Sequence, residues 1–439
     1  MYINETKNLI NFLEKSTDCY HAAENIAKYL TENGFERLFE SDAWRIERGG
    51  KYFVMRNMSS VIAFKLPYNA PSGVMIAASH SDSPSFKVKP NPDMETEKHY
   101  VRINTEGYGG MIDYSWLDRP LSVSGKVTVR TDEGIESRLV NIDRDLLLIP
   151  SLCIHMNSSV NKGYEFNHQR DLIPLFGQES GGFMKLIAEN AGADVQDIKG
   201  YDLFLYNRAK GSIWGGENEY FSCGRIDDLQ CAYASMRGFV QADVTDALQM
   251  AAVFDNEETG SGTKQGAKSD FLYNTLERIF ACMGYSREDC MRALANGFMV
   301  SADNGHAVHP NHAEKSDPTN RIYMNEGVVI KYNANQNYTT DSVSEAVFKT
   351  ICERAGVPYQ EFTNRSDMRG GSTLGNLSNT QVSLNTVDIG LAQLAMHSSY
   401  ETAGTKDTSY MIKAVKEFFN TVITAEKDTI IKIAGAVSK

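Results

Sequence analysis

Five stretches of this 439-residue chain hold side chains able to bind a cation and move a proton. His80-Ser81-Asp82 sets a carboxylate two residues past an imidazole. There it can accept the second ring proton and fix the tautomer, as carboxylates do behind metal-bound histidines. Asp255-Asn256-Glu257-Glu258-Thr259-Gly260 puts two adjacent acids ahead of a glycine turn. Adjacent acids ordinarily face water, but beside a metal they divide the work: one binds the cation and its neighbour takes a proton from water that the ion has acidified. Asp303-Asn304-Gly305-His306-Ala307-Val308-His309-Pro310-Asn311 crowds four potential ligands into one loop. Asp227, in Gly224-Arg225-Ile226-Asp227-Asp228-Leu229, suits a helix N-cap as well as a ligand. His397, in Met396-His397-Ser398, suits a satisfied core position as well as a ligand.

The elements around these residues say why they should meet. Three short apolar runs end at them: 74–78 leads to His80, 250–254 to Asp255, and 298–302 to Asp303. Further strands are predicted at 60–66, 328–331 and 382–387, and helices at 19–34, 229–240, 269–281, 342–355 and from about 408. Strands alternating with helices predict a doubly wound α/β sheet, in which ligands gather at the carboxyl ends of strands. Between about 91 and 215 the texture changes, with β-rich segments 121–130 and 135–140 flanking the hairpin signal Thr131-Asp132-Glu133-Gly134. The reading is a domain made of 1–90 and 216–439, interrupted by a β-rich insertion at 91–215. Three strand ends bearing His or carboxylate form a thiolate-free, oxygen-rich donor set suited to zinc, cobalt or manganese. A carboxylate shared by two such ions would hold them about 3.5–4 Å apart, although spacing does not say which Asp bridges.

Composition narrows the function classes. Hydrophobic residues at 42% and charged residues at 23% are ordinary for a soluble globular protein. No apolar run reaches the ~20 residues that span a bilayer, and the first 15 residues lack a signal-like apolar stretch. A membrane partner is therefore not expected. The formal charge of −12 repels a phosphate backbone, so nucleic acid is not an expected partner either. Seven scattered cysteines without a CxxC pair point to reduced thiols and a cytoplasmic location.

At these same residues the chain closely resembles the M18 family of metallo-aminopeptidases, which includes aspartyl aminopeptidase. The likeness runs nearly end to end. It includes SHSDSPSFKVKP (79–90), YGGMIDYSWLDRPLSVSGKV (108–127), GRIDDL (224–229), DNEETGS (255–261), SADNGHAVHPN (301–311), VIKYNANQNY (329–338) and AMHSSYE (395–401). The resemblance implies a zinc-peptidase-like catalytic domain on a doubly wound mixed α/β sheet with helices on both faces, and an insertion that dimerises. It also implies two divalent ions per subunit, zinc first with cobalt or manganese as the other candidates. His80, Asp227 and Asp303 would hold one ion; Asp227, Glu258 and His397 would hold the other, with Asp227 as the bridge. Glu257 matches the general base and Asp82 the carboxylate that orients His80. His306 and Lys331 match positions near the substrate, and His155, in the insertion, matches a histidine that reaches a neighbouring subunit's site. The implied activity is removal of N-terminal residues, acidic ones preferentially, from peptides with a free N-terminus. The implied assembly is a homo-oligomeric dodecamer built from dimers. Two departures stand out: Asp228 where many relatives have Asn, and Tyr400 where Arg is frequent. The alternatives are a broad or neutral-residue aminopeptidase of the same family and, in another class, a catalytically silent oligomeric scaffold.

Overall fold

The computed structural model describes residues 2–368, 370–427 and 429–435. Its largest sheet has nine strands in the order Glu36–Leu38, Lys51–Arg56, Ser60–Lys65, Leu248–Phe254, Val74–His80, Phe298–Ala302, Asn385–Gly390, Val328–Tyr332, Tyr359–Thr363. The central four, from Leu248–Phe254 to Asn385–Gly390, run parallel, and antiparallel pairings flank them on both sides, so the sheet is mixed. Apolar residues fill both faces of these inner strands, which explains their near-continuous hydrophobic runs. One face, with Val61, Ala63, Ala77, Val253 and Val300, packs against helices Cys19–Glu32, Ile226–Gln241, Ser342–Ala355 and Asp407–Asn420. The other, with Ile62, Phe64, Ile76, Ala252 and Met299, packs against helices Phe271–Cys282 and Arg287–Ala295. Each fully buried Phe or Ile contributes about 1.5–3 kcal/mol.

The helix Ile226–Gln241, with Asp227 in its first turn, is fixed at its carboxyl end. Lys65 is 1% exposed, and its ammonium donates to the carbonyls of Phe239 and Ala242, both at 2.6 Å, satisfying orphan acceptors at the helix's carboxyl end. In the last turn, Gly238 lets the helix Asp407–Asn420 approach: a Cβ there would lie 2.8 Å from Val415 Cβ and 2.9 Å from Ile412 O.

After His80 the chain leaves this sheet and enters a second, antiparallel one of six strands, in the order Gly134–Asn141, Leu121–Thr131, Ile198–Asn207, Ser85–Thr96, Tyr100–Tyr108, Leu175–Gly177. Its strands span residues 85–207, beside the expected bounds of 91–215. A helix at Gly182–Ala191 covers its core through Phe183 and Ile187. A smaller five-stranded sheet ties Ser212–Trp214 and Tyr220–Cys223 to Glu401–Gly404, Ala392–Leu394 and Gly305–His306.

One expected strand moves. The run expected at 382–387 becomes a strand at Asn385–Gly390, because the Asn379 side chain accepts from the Leu384 amide at 3.2 Å and holds the preceding residues in a turn.

Candidate metal centre

Register brings the strand ends level. Phe254 pairs with His80 and Ser301 with Ala78, so the residues that follow, Asp255 and Asp303, emerge at the same edge as His80. Asp227 reaches this edge from the head of its helix, where Asp227 and Asp228 both have non-helical backbone. One ligand atom each from His80, Asp227, Asp228 and Asp303 lie within 4.8 Å of one another; so do those of Asp227, Glu258 and His397, and those of His80, Glu257 and Glu258. Asp227 belongs to two of these groups through different atoms. Its Oδ1 is 3.7 Å from His80 Nε2, and its Oδ2 is 3.4 Å from His397 Nε2. His397 Nε2 also lies 3.4 Å from Glu258 Oε1.

Behind these side chains stands a set of braces. His80 Nδ1 is hydrogen-bonded to the Asp82 backbone carbonyl at 3.1 Å, with the Asp82 carboxylate 3.4 Å away, and that carboxylate accepts the backbone amides of Glu257 (3.1 Å) and Glu258 (3.2 Å). One carboxylate thereby aligns an imidazole and the loop carrying both glutamates. The inserted sheet joins in: Tyr108 donates to Asp82 Oδ2 at 2.7 Å, and the Gly110 carbonyl sits 2.6 Å from His397 Nδ1, leaving Nε2 free to face the carboxylates. His397 has a left-handed backbone (φ 66), a conformation costing about 1–3 kcal/mol in a non-glycine residue. It is held there because Glu401 accepts its amide at 2.8 Å and the Ile112 amide donates to its carbonyl at 3.0 Å. Glu401 also accepts the amides of Ile226 (2.6 Å) and Asp227 (3.2 Å), so one buried carboxylate ties the His397 loop to the Asp227 helix.

The charge balance of the crevice asks for a cation. Burial pushes Glu257 up to about 8, aided by Asp303 and Asp82, and pushes Asp303 to about 6 against the pull of Lys331. Burial also lifts Glu258 and Asp228 well above the carboxylate range. For His397 burial opposes the charge, yet Asp227 and Glu258 hold it at about 10. His80 behaves likewise, burial being outweighed chiefly by Asp228 and Asp82, so it stays well above its usual value. Protons are here taking places where positive charge is wanted, and divalent ions would displace them. Asp227 Oδ1 and Asp228 Oδ1 are buried without any hydrogen-bond partner, an expensive state that metal coordination relieves. The residues present fit a metal.

The remaining sequence candidates fall in different surroundings. Lys331 is 2% exposed; its Nζ donates to Asn304 O at 2.6 Å and lies 3.6 Å from Asp303 Oδ2, so it meets the cluster through a ligand candidate. His306 lines a cavity of about 320 Å³ with His309, His312, Lys315, Arg365 and Met396. His155 is exposed in the insertion and is not among the clustered groups. Tyr400 donates to Lys210 O at 2.7 Å, at the junction with the insertion. The reading from residues gave no role to Glu401, Tyr108 or Gly110. Each lies inside a quoted motif, but bracing through backbone amides and carbonyls leaves no mark in spacing.

The Aminopeptidase I zinc metalloprotease (M18) family model matches residues 12–419. The chain is 47% identical over 424 residues to a probable M18 family aminopeptidase 2 of Clostridium acetobutylicum, covering 94% of this chain and 98% of that protein. Among solved structures, the chain in the cryo-EM structure of the Ape4 and Nbr1 complex superposes with a TM-score of 0.90 at 33% identity, covering 94% of this chain and 84% of that one. The S. cerevisiae mApe1 dodecamer superposes at 0.84 with 28% identity, covering 95% and 97%.

Proposed function

This chain belongs to the M18 family of zinc metallo-aminopeptidases, and from that premise we propose that it cleaves the N-terminal peptide bond of peptides with two divalent ions bridged by Asp227, preferring acidic N-terminal residues. The single observation behind two ions is that the two oxygens of Asp227 face different imidazoles, His80 at 3.7 Å and His397 at 3.4 Å. His80 and Asp303 complete one donor set with Asp227, and Glu258 and His397 the other. Zinc fits both sets, as do cobalt and manganese. Bound there, the ions supply Lewis-acid polarisation of the scissile carbonyl and acidify the attacking water.

The chain's own groups do the rest. Glu257, half-buried beside the ligand candidates, takes the proton from the attacking water and returns it to the leaving amine, so one carboxylate serves both halves of acid-base catalysis. Asp82 keeps His80 and the glutamate loop aligned through the contacts given above. Glu401 holds Asp227 and His397 in register across the crevice.

Acidic preference is supported by the cavity that His306 lines, where Lys315 and Arg365 would favour a substrate carboxylate by charge-assisted contact, and by the buried Lys331 behind Asp303. Homo-oligomerisation is supported by the exposed apolar residues Leu148, Leu152, Ile154 and Met156 on the insertion, and a dodecamer built from dimers by the similarity to the mApe1 dodecamer. His155 is exposed in the same stretch, in keeping with the role in a neighbouring subunit's site that the resemblance implies for it. Seven free cysteines, Cys153 and Cys282 exposed, suit a reducing, cytoplasmic setting. No helix among the described residues is long and apolar enough to cross a membrane.

The test is a panel of N-terminal amino-acid reporter substrates, run on chelator-stripped protein and again after adding zinc, cobalt or manganese. Stripping should abolish turnover, and one of the ions should restore it with Asp and Glu substrates ahead of Leu. Restored turnover without acid preference would favour the neutral-residue alternative; none with any ion would favour the silent scaffold.

A further inference from the structure

Asp82 aligns the glutamate loop behind His80, and the bonds that hold Asp82 itself run outward in a row. Both of its oxygens accept: Oδ1 takes the amide of Glu257, and Oδ2 takes the amide of Glu258 and the Tyr108 hydroxyl, the last at 2.7 Å. Tyr108 has a single proton to give, so toward Asn256, 2.8 Å away, its oxygen can only accept. The amide nitrogen of Asn256 must therefore face Tyr108, which turns the Asn256 side-chain oxygen to Thr263 Oγ1 and Gln265 Nε2, both at 2.7 Å. Every donor in this row points the same way, from the loop at 263–265 toward Asp82, an arrangement in which each bond polarises and strengthens the next. The loop is anchored in turn: the Gln265 carbonyl accepts the Ser60 hydroxyl at 2.7 Å, at the start of the strand Ser60–Lys65.

We propose that Asn256 is a positioning residue for the reaction, acting through Tyr108 to keep the Asp82 carboxylate in place behind His80 and Glu257. This rests on the peptidase reading above and deepens it, by adding a residue that lies outside the ligand groups. The side chain and the backbone of Asn256 do separate work. Its backbone is left-handed (φ 62), and its carbonyl accepts the Ser261 amide at 2.7 Å, so the turn is tied without help from the side-chain amide. Glycine adopts that backbone freely, so Asn256→Gly deletes the amide and leaves the turn.

The test is a double-mutant cycle of Asn256→Gly and Tyr108→Phe, read in kcat and KM and, with no turnover needed, in the zinc affinity of chelator-stripped protein by calorimetry. Asn256→Gly should lower kcat about fivefold or more and zinc affinity about tenfold, with KM and melting temperature little changed. Because the effect passes through Tyr108, adding Asn256→Gly to Tyr108→Phe should cost less than about twofold more in either readout. A residue that only shaped the turn would cost the same in both backgrounds. Equal losses in the two backgrounds, or an Asn256→Gly variant within about twofold of wild type, would overturn the proposal. Should the Gly variant fold poorly by circular dichroism, Asn256→Asp takes its place in the cycle. It keeps the size and the oxygen that Thr263 and Gln265 use but offers Tyr108 an acceptor instead of a donor, so the same loss is expected only where Tyr108 is present. Wild-type protein without turnover would count against the peptidase reading alone, since the zinc affinities still decide the role of Asn256.

Discussion

In the nine-stranded sheet, Val74–His80, Leu248–Phe254 and Phe298–Ala302 are buried at every residue, whereas in the six-stranded sheet Gly134–Asn141 is exposed over its first half and Leu121–Thr131 alternates between buried and less buried residues beyond Gly125. Burial on both faces leaves the first sheet only its strand ends for polar work, and there the carboxylates concentrate with few cations to pair them. The second sheet keeps its charges near water and in pairs, such as Lys87 with Asp202 at 2.7 Å and Arg130 with Asp197 at 2.6 Å. Such exposed pairs are worth little in stability. The lesson is a division of labour: the buried sheet concentrates uncompensated charge for chemistry, while the second sheet keeps its charges paired near water and reaches back through Tyr108 and Gly110 to steady that chemistry.

The sharpest way to break this division is Glu257→Gln. Metal content and melting temperature should stay near wild type while kcat falls about 10²–10⁴-fold; retained turnover would remove Glu257 from the acid-base role. Tyr108→Phe tests whether the inserted sheet steadies the site. It deletes a hydrogen bond to a carboxylate, worth about 1.5–3 kcal/mol, so kcat should fall about tenfold or more with KM little changed. An unaltered kcat would confine the insertion to assembly.

Lys331→Ala should cost a few-fold more with Asp substrates than with Leu substrates, read as the ratio of kcat/KM values. Equal losses would mean that Lys331 acts only through Asp303. The smallest expected effect on a single subunit is that of Ile154→Asp. A charge on the exposed apolar surface of the insertion should shift the protein to smaller species in analytical ultracentrifugation, with the far-ultraviolet circular dichroism unchanged. An unchanged sedimentation profile would move the contact elsewhere.

Much of the fold was legible because its signals are local. The helix expected at 342–355 is found at Ser342–Ala355, where Asp341 caps it and Gly356 stops it in the left-handed conformation that glycine adopts freely. The hairpin at Thr131–Gly134 appears between Leu121–Thr131 and Gly134–Asn141. The strand expected at 382–387 slipped because a side-chain bond from Asn379, invisible to periodicity, took a backbone amide first. In the crevice, the meeting of His80, Asp255 and Asp303 follows from strand ends in a doubly wound sheet, whereas Asp227, at a helix head, and His397, in a loop, were singled out as ligands through the family resemblance. Glu401 was not legible, since its work is done on the amides of Ile226, Asp227 and His397.

The sequence by itself determined which side chains are available and which runs of chain must be buried, because hydrophobic period and capping chemistry act between residues a few positions apart. Tertiary structure alone decided that Asp227 turns one oxygen toward each imidazole, that Lys331 lies behind Asp303, and that Asp228 accepts the amide of His80. Those outcomes depend on the register of parallel strands and on braces between residues hundreds of positions apart. Distances of a few ångströms between such residues are fixed by packing, and packing is a property of the whole folded chain.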